Sequence, residues 1–116
     1  DTLFAQRKEN RLIVIKLDKD VRNFADPFEA VVIPGDTIQF FTIDGEFALY
    51  IENAISILWV EEVNLKIELI QTNPESDKYV VKKVENDIIE KPYSVFCVPT
   101  KSWPVDAPPK IIIVSQ

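Results

Sequence analysis

The sequence predicts an all-β fold, an antiparallel Greek-key β-sandwich. Nine short runs rich in β-branched and aromatic residues follow one another along the 116-residue chain, and turn signals separate them. All eight prolines fall outside these runs, where a missing backbone N–H breaks no strand ladder. The predicted strands are residues 11–17, 28–33, 37–43, 46–51, 55–63, 65–71, 78–84, 93–98 and 110–115.

Turn chemistry and alternation support the individual strands. Pro34-Gly35-Asp36 ends the second run, and Asp44-Gly45 predicts a type I′ hairpin between the third and fourth runs. In 65–71 apolar residues alternate with polar ones, so one face is expected in water; 46–51 is apolar on both faces. Only 84–89 has weak helical periodicity. The aromatic residues predicted for the core are Phe40, Phe47, Trp59, Tyr93 and Phe96.

Composition bounds the class of protein. The length suits one domain over residues 1–116, with a polar lead-in over 1–10. The net charge of −6 disfavours nucleic acid as a partner, because phosphate binding needs clustered basic residues. No apolar run approaches the ~18 residues of a membrane span. The chain begins at Asp1 without a methionine, which fits a mature periplasmic or secreted chain, or a trimmed one.

Three segments resemble the cupredoxins, the family of plastocyanin and azurin. Residues 33–40, IPGDTIQF, resemble the turn that opens a core strand of that family. Residues 93–100, YSVFCVPT, resemble its Tyr-x-x-x-Cys-x-Pro-His motif, and 110–114, KIIIV, resemble its last strand. Order and spacing match over roughly half of the chain. The resemblance implies a cupredoxin-like Greek-key sandwich and an extracytoplasmic location.

The resemblance also assigns positions to the family's copper ligands. Ala48 stands where the first histidine is expected, Cys97 is the cysteine, and Thr100 stands at the second histidine. The axial methionine would fall near Val105. The chain contains no histidine and no methionine, and alanine and threonine are poor substitutes for imidazole. The resemblance therefore implies the scaffold without copper, and we expect no metal and no cofactor.

Catalytic chemistry finds little support in the sequence. Without histidine there is no Ser-His-Asp or Cys-His arrangement and no imidazole zinc site. We expect no catalytic residue and no enzyme. Cys97 has two interpretations: a small apolar core residue, or a reactive or Cu(I)-binding thiol. The second needs a nearby cation, and only Lys101 is close in sequence.

The loop over residues 99–109, PTKSWPVDAPP, is the best candidate for an interaction site. Four prolines stiffen it, and Trp103 is a plausible interface anchor with Lys101 and Val105 beside it. Alternatively, Trp103 folds back and caps the open end of the sandwich. Under either interpretation Ala48, Cys97, Thr100 and Trp103 are expected near one another.

Three functions remain open. The leading hypothesis is a metal-free cupredoxin-like binding or assembly module that contacts another protein or a second copy through its loops or a sheet edge. The alternative is a Cu(I)-handling or thiol-redox protein that uses Cys97. A further alternative is an immunoglobulin-like structural domain, in which Cys97 is an ordinary core residue.

Overall fold

Strands form nearly all of the regular structure in the computed structural model, which describes residues 9–115. Besides the strands there are two short 3₁₀ turns, Arg22–Phe24 and Ala54–Ser56. No helix in this part of the chain is long and apolar enough to cross a membrane. Residues 1–8 of the predicted polar lead-in lie outside the described range. The strands are β1 Leu12–Leu17, β2 Ala25–Asp26, β3 Glu29–Val32, β4 Thr37–Thr42, β5 Phe47–Ile51, β6 Leu65–Leu69, β7 Tyr79–Val80, β8 Ile88–Pro92, β9 Ser94–Cys97 and β10 Lys110–Val114.

The strands form three hydrogen-bonded sheets, with orders β2-β1-β4-β7, β3-β10-β8 and β6-β5-β9. Only Tyr93 separates β8 from β9, so one run of chain joins the two three-stranded sheets. The Tyr93 N–H donates to the Pro109 carbonyl at 3.0 Å. The predicted all-β sandwich is confirmed. Most strand pairs are antiparallel, but β1 with β4 and β3 with β10 are parallel.

The core follows the alternation that the sequence predicts. In β5 and β6 every second side chain is buried, and the intervening ones face outward. Phe40 and Tyr93 meet edge to face, with ring centroids 5.4 Å apart. The prediction of Phe40, Phe47 and Tyr93 as core residues is confirmed, since each is 3% exposed or less.

The turn before β4 connects two elements of the first sheet. Gly35 has a φ of +92°, a conformation that glycine adopts without strain. The buried carboxylate of Asp36 accepts hydrogen bonds from the N–H groups of Arg11 and Ile33, both at 2.9 Å. The turn therefore holds the entry to β1 beside the entry to β4.

The predicted hairpin at Asp44-Gly45 is wrong. β4 pairs with β1 and β7, whereas β5 pairs with β6 and β9, so this turn carries the chain from one sheet to the other. Of its two residues only Gly45 has a positive φ, while a type I′ turn needs both. The local turn signal was real, but strand partners are chosen by non-local packing.

The strand predicted over 55–63 is also wrong. This segment begins in the 3₁₀ turn Ala54–Ser56 and continues irregularly, with Ile57 and Leu58 buried. Trp59, predicted for the core, is 67% exposed. The apolar run was long enough for a strand, but its buried residues are consecutive rather than alternating, which a two-residue period cannot produce.

Two further differences concern sheet edges. The run predicted over 78–84 contributes only the two-residue strand β7. Strand β8 forms where no strand was predicted, and it overlaps the stretch 84–89 with weak helical periodicity. β8 lies at the edge of its sheet beside β10 and carries Glu90 and Lys91. Charged residues are common on edge strands and weaken the strand signal.

The prediction of Phe96 as a core residue is wrong, since its side chain is half-buried on the outer face of the sheet.

Candidate functional site

Strand β9, which contains Cys97, presents different residues on its two faces. Val95 and Cys97 point into the core, and Cys97 is 1% exposed, whereas Ser94 and Phe96 face outward. In the register with β5, Cys97 lies opposite Phe47 and Phe96 lies opposite Ala48. Ala48 and Cys97 are therefore close along the backbone, but their side chains lie on opposite faces of the sheet.

A tight turn follows Cys97. The N–H of Cys97 donates to the Ser102 carbonyl at 2.9 Å, and the N–H of Ser102 returns a bond to the Cys97 carbonyl at 3.2 Å. Inside this turn the hydroxyls of Thr100 and Ser102 are hydrogen-bonded at 2.6 Å. Lys101 has a φ of +51° and is exposed. The turn brings Thr100 beside the end of β9 and directs the chain toward Trp103.

The residues at the positions expected for copper ligands do not fit a type 1 copper site. The Cys97 thiol lies in the core, and the Ala48 methyl group lies on the other face and has no donor atom. The Thr100 hydroxyl is engaged with Ser102, and Val105 is apolar and 97% exposed. Within residues 9–115 no three histidine, cysteine, aspartate or glutamate side chains are grouped so that they could hold a metal ion.

The loop after β9 folds back onto the outer face of the sheet. The ring of Trp103 packs on Phe96, with centroids 4.8 Å apart and planes tilted by 59°. Trp103 nevertheless remains 60% exposed. An exposed ion pair between Arg22 and Asp106, whose Nε and Oδ2 atoms lie 3.1 Å apart, also contacts this loop. The tryptophan is thus held in place without being buried.

Outward side chains of three neighbouring strands complete a surface around Trp103. We call this set the Trp103 surface; its members are Tyr50, Lys66, Glu68, Ser94, Phe96 and Trp103. They line a shallow depression of about 210 Å³, together with Ala48 on the same face. Depressions of about 260 and 200 Å³ adjoin it, and Ser94 lines all three. Ser94 therefore lies where the three depressions meet.

Sequence reasoning found Trp103 but missed the residues that surround it. Lys66 and Glu68 occupy the wet positions of an alternating run, and Tyr50 is an outward position of β5, so a local signal existed for each. Only the pairing of β5 with both β6 and β9 brings them to Trp103. Lys101 and Val105, the other predicted interaction residues, are exposed but do not line these depressions.

Comparison with known proteins identifies the fold. No protein-family model matches the chain, and no curated protein matches its sequence. A proline-to-glycine mutant of amicyanin in its reduced Cu(I) form at pH 4 aligns with a TM-score of 0.50 and 15% identity, covering 97% of this chain and 88% of that one. A methionine-to-alanine mutant with Cu(I) and a reduced tryptophan-to-tyrosine mutant of amicyanin align over the same shares at 16% identity, with TM-scores of 0.45 and 0.46. The first alignment supports the fold alone: the chain is a β-sandwich of the cupredoxin-like type.

Proposed function

We propose that this chain is a non-enzymatic, metal-free cupredoxin-like module for binding or assembly, and that it contacts its partner through the Trp103 surface. The observation that carries the proposal is the 60% exposure of a tryptophan held on Phe96 at 4.8 Å. Trp103 and Phe96 form a joined apolar surface with polar side chains around it, and exposed apolar patches with a polar rim mark interaction sites. Fixed tryptophans are frequent anchors of interfaces, because little conformational entropy is lost when they bind.

Two observations support the metal-free part of the proposal over the thiol-based alternative. A reactive cysteine sits in a partly exposed, electropositive environment. Cys97 is instead 1% exposed within the core. The donor set around it does not fit copper, since Ala48 has no donor atom and lies on the other face, and the Thr100 hydroxyl is bonded to Ser102. The immunoglobulin-like alternative gains no support, since the structural likeness is to amicyanin.

The proposed partner is another protein or a second copy of this chain. The cupredoxin resemblance also implies an extracytoplasmic location, which we include in the proposal. Fractionation of cells that naturally make the protein tests the location, and recovery in the cytoplasmic fraction would contradict it.

Photocrosslinking tests the contact surface. A benzophenone amino acid is placed at Trp103 or, as a matched control, at Trp59, which is 67% exposed and lies outside the Trp103 surface. We expect a discrete adduct in the native cells from the Trp103 variant only. No adduct from that variant, or the same adducts from both, would contradict the proposal.

A copper titration tests the metal-free part. Cu(II), then Cu(I) under reductant, is added to the wild-type chain and to Cys97→Ala. We expect no intense blue absorption, and melting temperatures that respond equally in both proteins. Stabilisation by Cu(I) that disappears in Cys97→Ala would overturn this part.

A further inference from the structure

The two exposed tryptophans differ in what lies on their rings. The Nζ atom of Lys82 lies 4.7 Å from the ring centroid of Trp59 and also donates to the Ile55 carbonyl at 2.6 Å. Trp59 therefore has an internal cation–π partner. Trp103 contacts Phe96, and in the described part of the chain no lysine or arginine lies over its ring. The exposed part of the Trp103 ring is thus open to a cation from another molecule.

Polar groups near this ring are unpaired as well. Tyr50, Lys66, Glu68 and Ser94 form no side-chain hydrogen bond or ion pair with any residue in the range 9–115. Their donors and acceptors face water, so they can form hydrogen bonds with a ligand without breaking a bond inside the protein. Such groups add orientation and specificity to an apolar contact.

The charges of the region favour a cationic ligand. Glu68 lines the central depression and Glu52 an adjoining one, against the single ammonium group of Lys66. Asp106 lines the third depression, but its charge is paired with Arg22. The chain as a whole carries −6. Two copies would therefore repel each other, whereas a basic segment would be attracted.

The edge of β9 limits how a peptide could bind. Hydrogen bonds between Cys97 and Ser102 occupy one end of this edge, and the bond from the Tyr93 N–H to Pro109 occupies the other. A new strand cannot add along β9 without breaking them. A bound segment must instead lie across the outward side chains, where three adjoining depressions meet at Ser94.

We propose that the Trp103 surface binds a basic, extended segment of a partner protein, with an arginine side chain stacked on Trp103 and its guanidinium group facing Glu68. Arginine fits better than lysine because its planar group stacks on an aromatic ring and can bind a carboxylate through two N–H groups. This inference rests on the proposed function for the choice of surface and adds the chemistry of the partner.

A peptide titration tests the inference. The probes are acetylated, amidated heptapeptides with a central arginine flanked by proline, serine or valine, each matched by a citrulline version that keeps the planar shape without the charge. The Trp59→Phe variant leaves Trp103 as the only tryptophan, so quenching of its fluorescence reports binding directly. We expect arginine peptides to bind about fivefold to thirtyfold more tightly than their citrulline versions.

Variants of the Trp103 surface supply the specificity controls. Their affinity for labelled peptides is measured by fluorescence anisotropy. Trp103→Ala should weaken binding of the arginine peptides about tenfold or more. Glu68→Gln should weaken it about fivefold and make it less dependent on salt concentration. Lys66→Gln should bind as tightly as the wild-type chain or more tightly. Circular dichroism melts confirm that each variant is folded.

The outcomes separate the two proposals. Equal binding of arginine and citrulline peptides, or no arginine peptide binding below about 1 mM, overturns the inference. Saturable binding of cellohexaose in the absence of peptide binding overturns it too and assigns a neutral glycan instead. If the Trp103 crosslink still forms in either case, the proposed function stands; if that crosslink is also absent, both fail.

Discussion

Replacement of Tyr93 by phenylalanine is a direct test of the core. The Tyr93 side chain is 3% exposed, and its hydroxyl has no hydrogen-bond partner in the described part of the chain. Its ring packs on Phe40, a contact that phenylalanine would keep. Near neutral pH the variant loses only an unpaired polar group, so we expect it to be as stable as the wild-type chain or more stable by up to about 1 kcal/mol.

The larger effect is expected in alkali. Burial raises the pKa of the Tyr93 phenol well above its ordinary value of 10.0. The unfolded chain therefore releases this proton first, and stability that is fully present below about pH 10 is lost as the pH rises. At about pH 11 one such group removes about 1.4 kcal/mol from the free energy of unfolding. Phenylalanine cannot titrate, so the advantage of the Tyr93→Phe variant should grow by that amount.

Urea unfolding of both proteins at several pH values from about 8 to about 11 measures this growth, because other titrating groups cancel in the difference. Tyr79→Phe is a graded comparison. The Tyr79 pKa is raised by burial first and then by the charges of Asp77 and Glu62. Because this side chain is only half-buried, the stability difference between Tyr79→Phe and the wild-type chain should grow less with pH. A Tyr93→Phe difference that stays constant to about pH 11 would refute the reasoning, since the phenol would then titrate equally in both states.

Gly35→Ala should lower the free energy of unfolding by about 2 kcal/mol, because φ is +92° and the new methyl group would lie 2.6 Å from the Asn10 amide nitrogen. Gly45→Ala should lower it by about 1 kcal/mol, since its φ of +128° gives strain but the nearest atom is 3.6 Å away. Adding Asn10→Ala should recover part of the first loss in urea unfolding, and no recovery would contradict the contact. Ala48→His combined with Thr100→His should give no intense blue absorption with Cu(II), and its appearance would show that the two strands pair differently.

The strands that the sequence predicts well are those whose signal is local. The alternation in 65–71 gives β6, and Pro34-Gly35-Asp36 gives the turn before β4. The hairpin at Asp44-Gly45 failed because such a turn signal does not specify which strands pair. The prediction that Trp59 lies in the core failed because the segment around it has an irregular backbone and buries consecutive residues. Strand order and parallel pairing depend on contacts between distant segments, which no local pattern contains.

The candidate site was predictable only in part, for the same reason. Loop composition identifies Trp103, since a tryptophan on a loop stiffened by prolines is suited to anchor an interface. Its degree of burial is not contained in that composition. Trp103 stays exposed because it meets Phe96, an outward residue of β9, rather than the end of the core. The acidic residue Glu68 joins it only through the register of β5 with β6.

The same register explains why a histidine at position 48 would not place an imidazole beside the Cys97 thiol. Side chains alternate between faces along a strand, and Cys97 lies opposite Phe47, so the face of Cys97 is the face of Phe47 and not that of Ala48. A histidine at position 48 would extend from the outer face, with the sheet between its ring and the thiol. A shift of β5 by one residue would bring it inward, but the same shift would turn Phe47, Leu49 and Ile51 out of the core. Those three side chains are each 3% exposed or less, and burying an apolar side chain of this size is worth about 1.5–3 kcal/mol. Turning all three outward would cost about 4.5–9 kcal/mol. This is comparable with the whole free energy of unfolding of a typical domain, about 5–15 kcal/mol, so the core strongly opposes the shift that would bring position 48 to the face of the thiol.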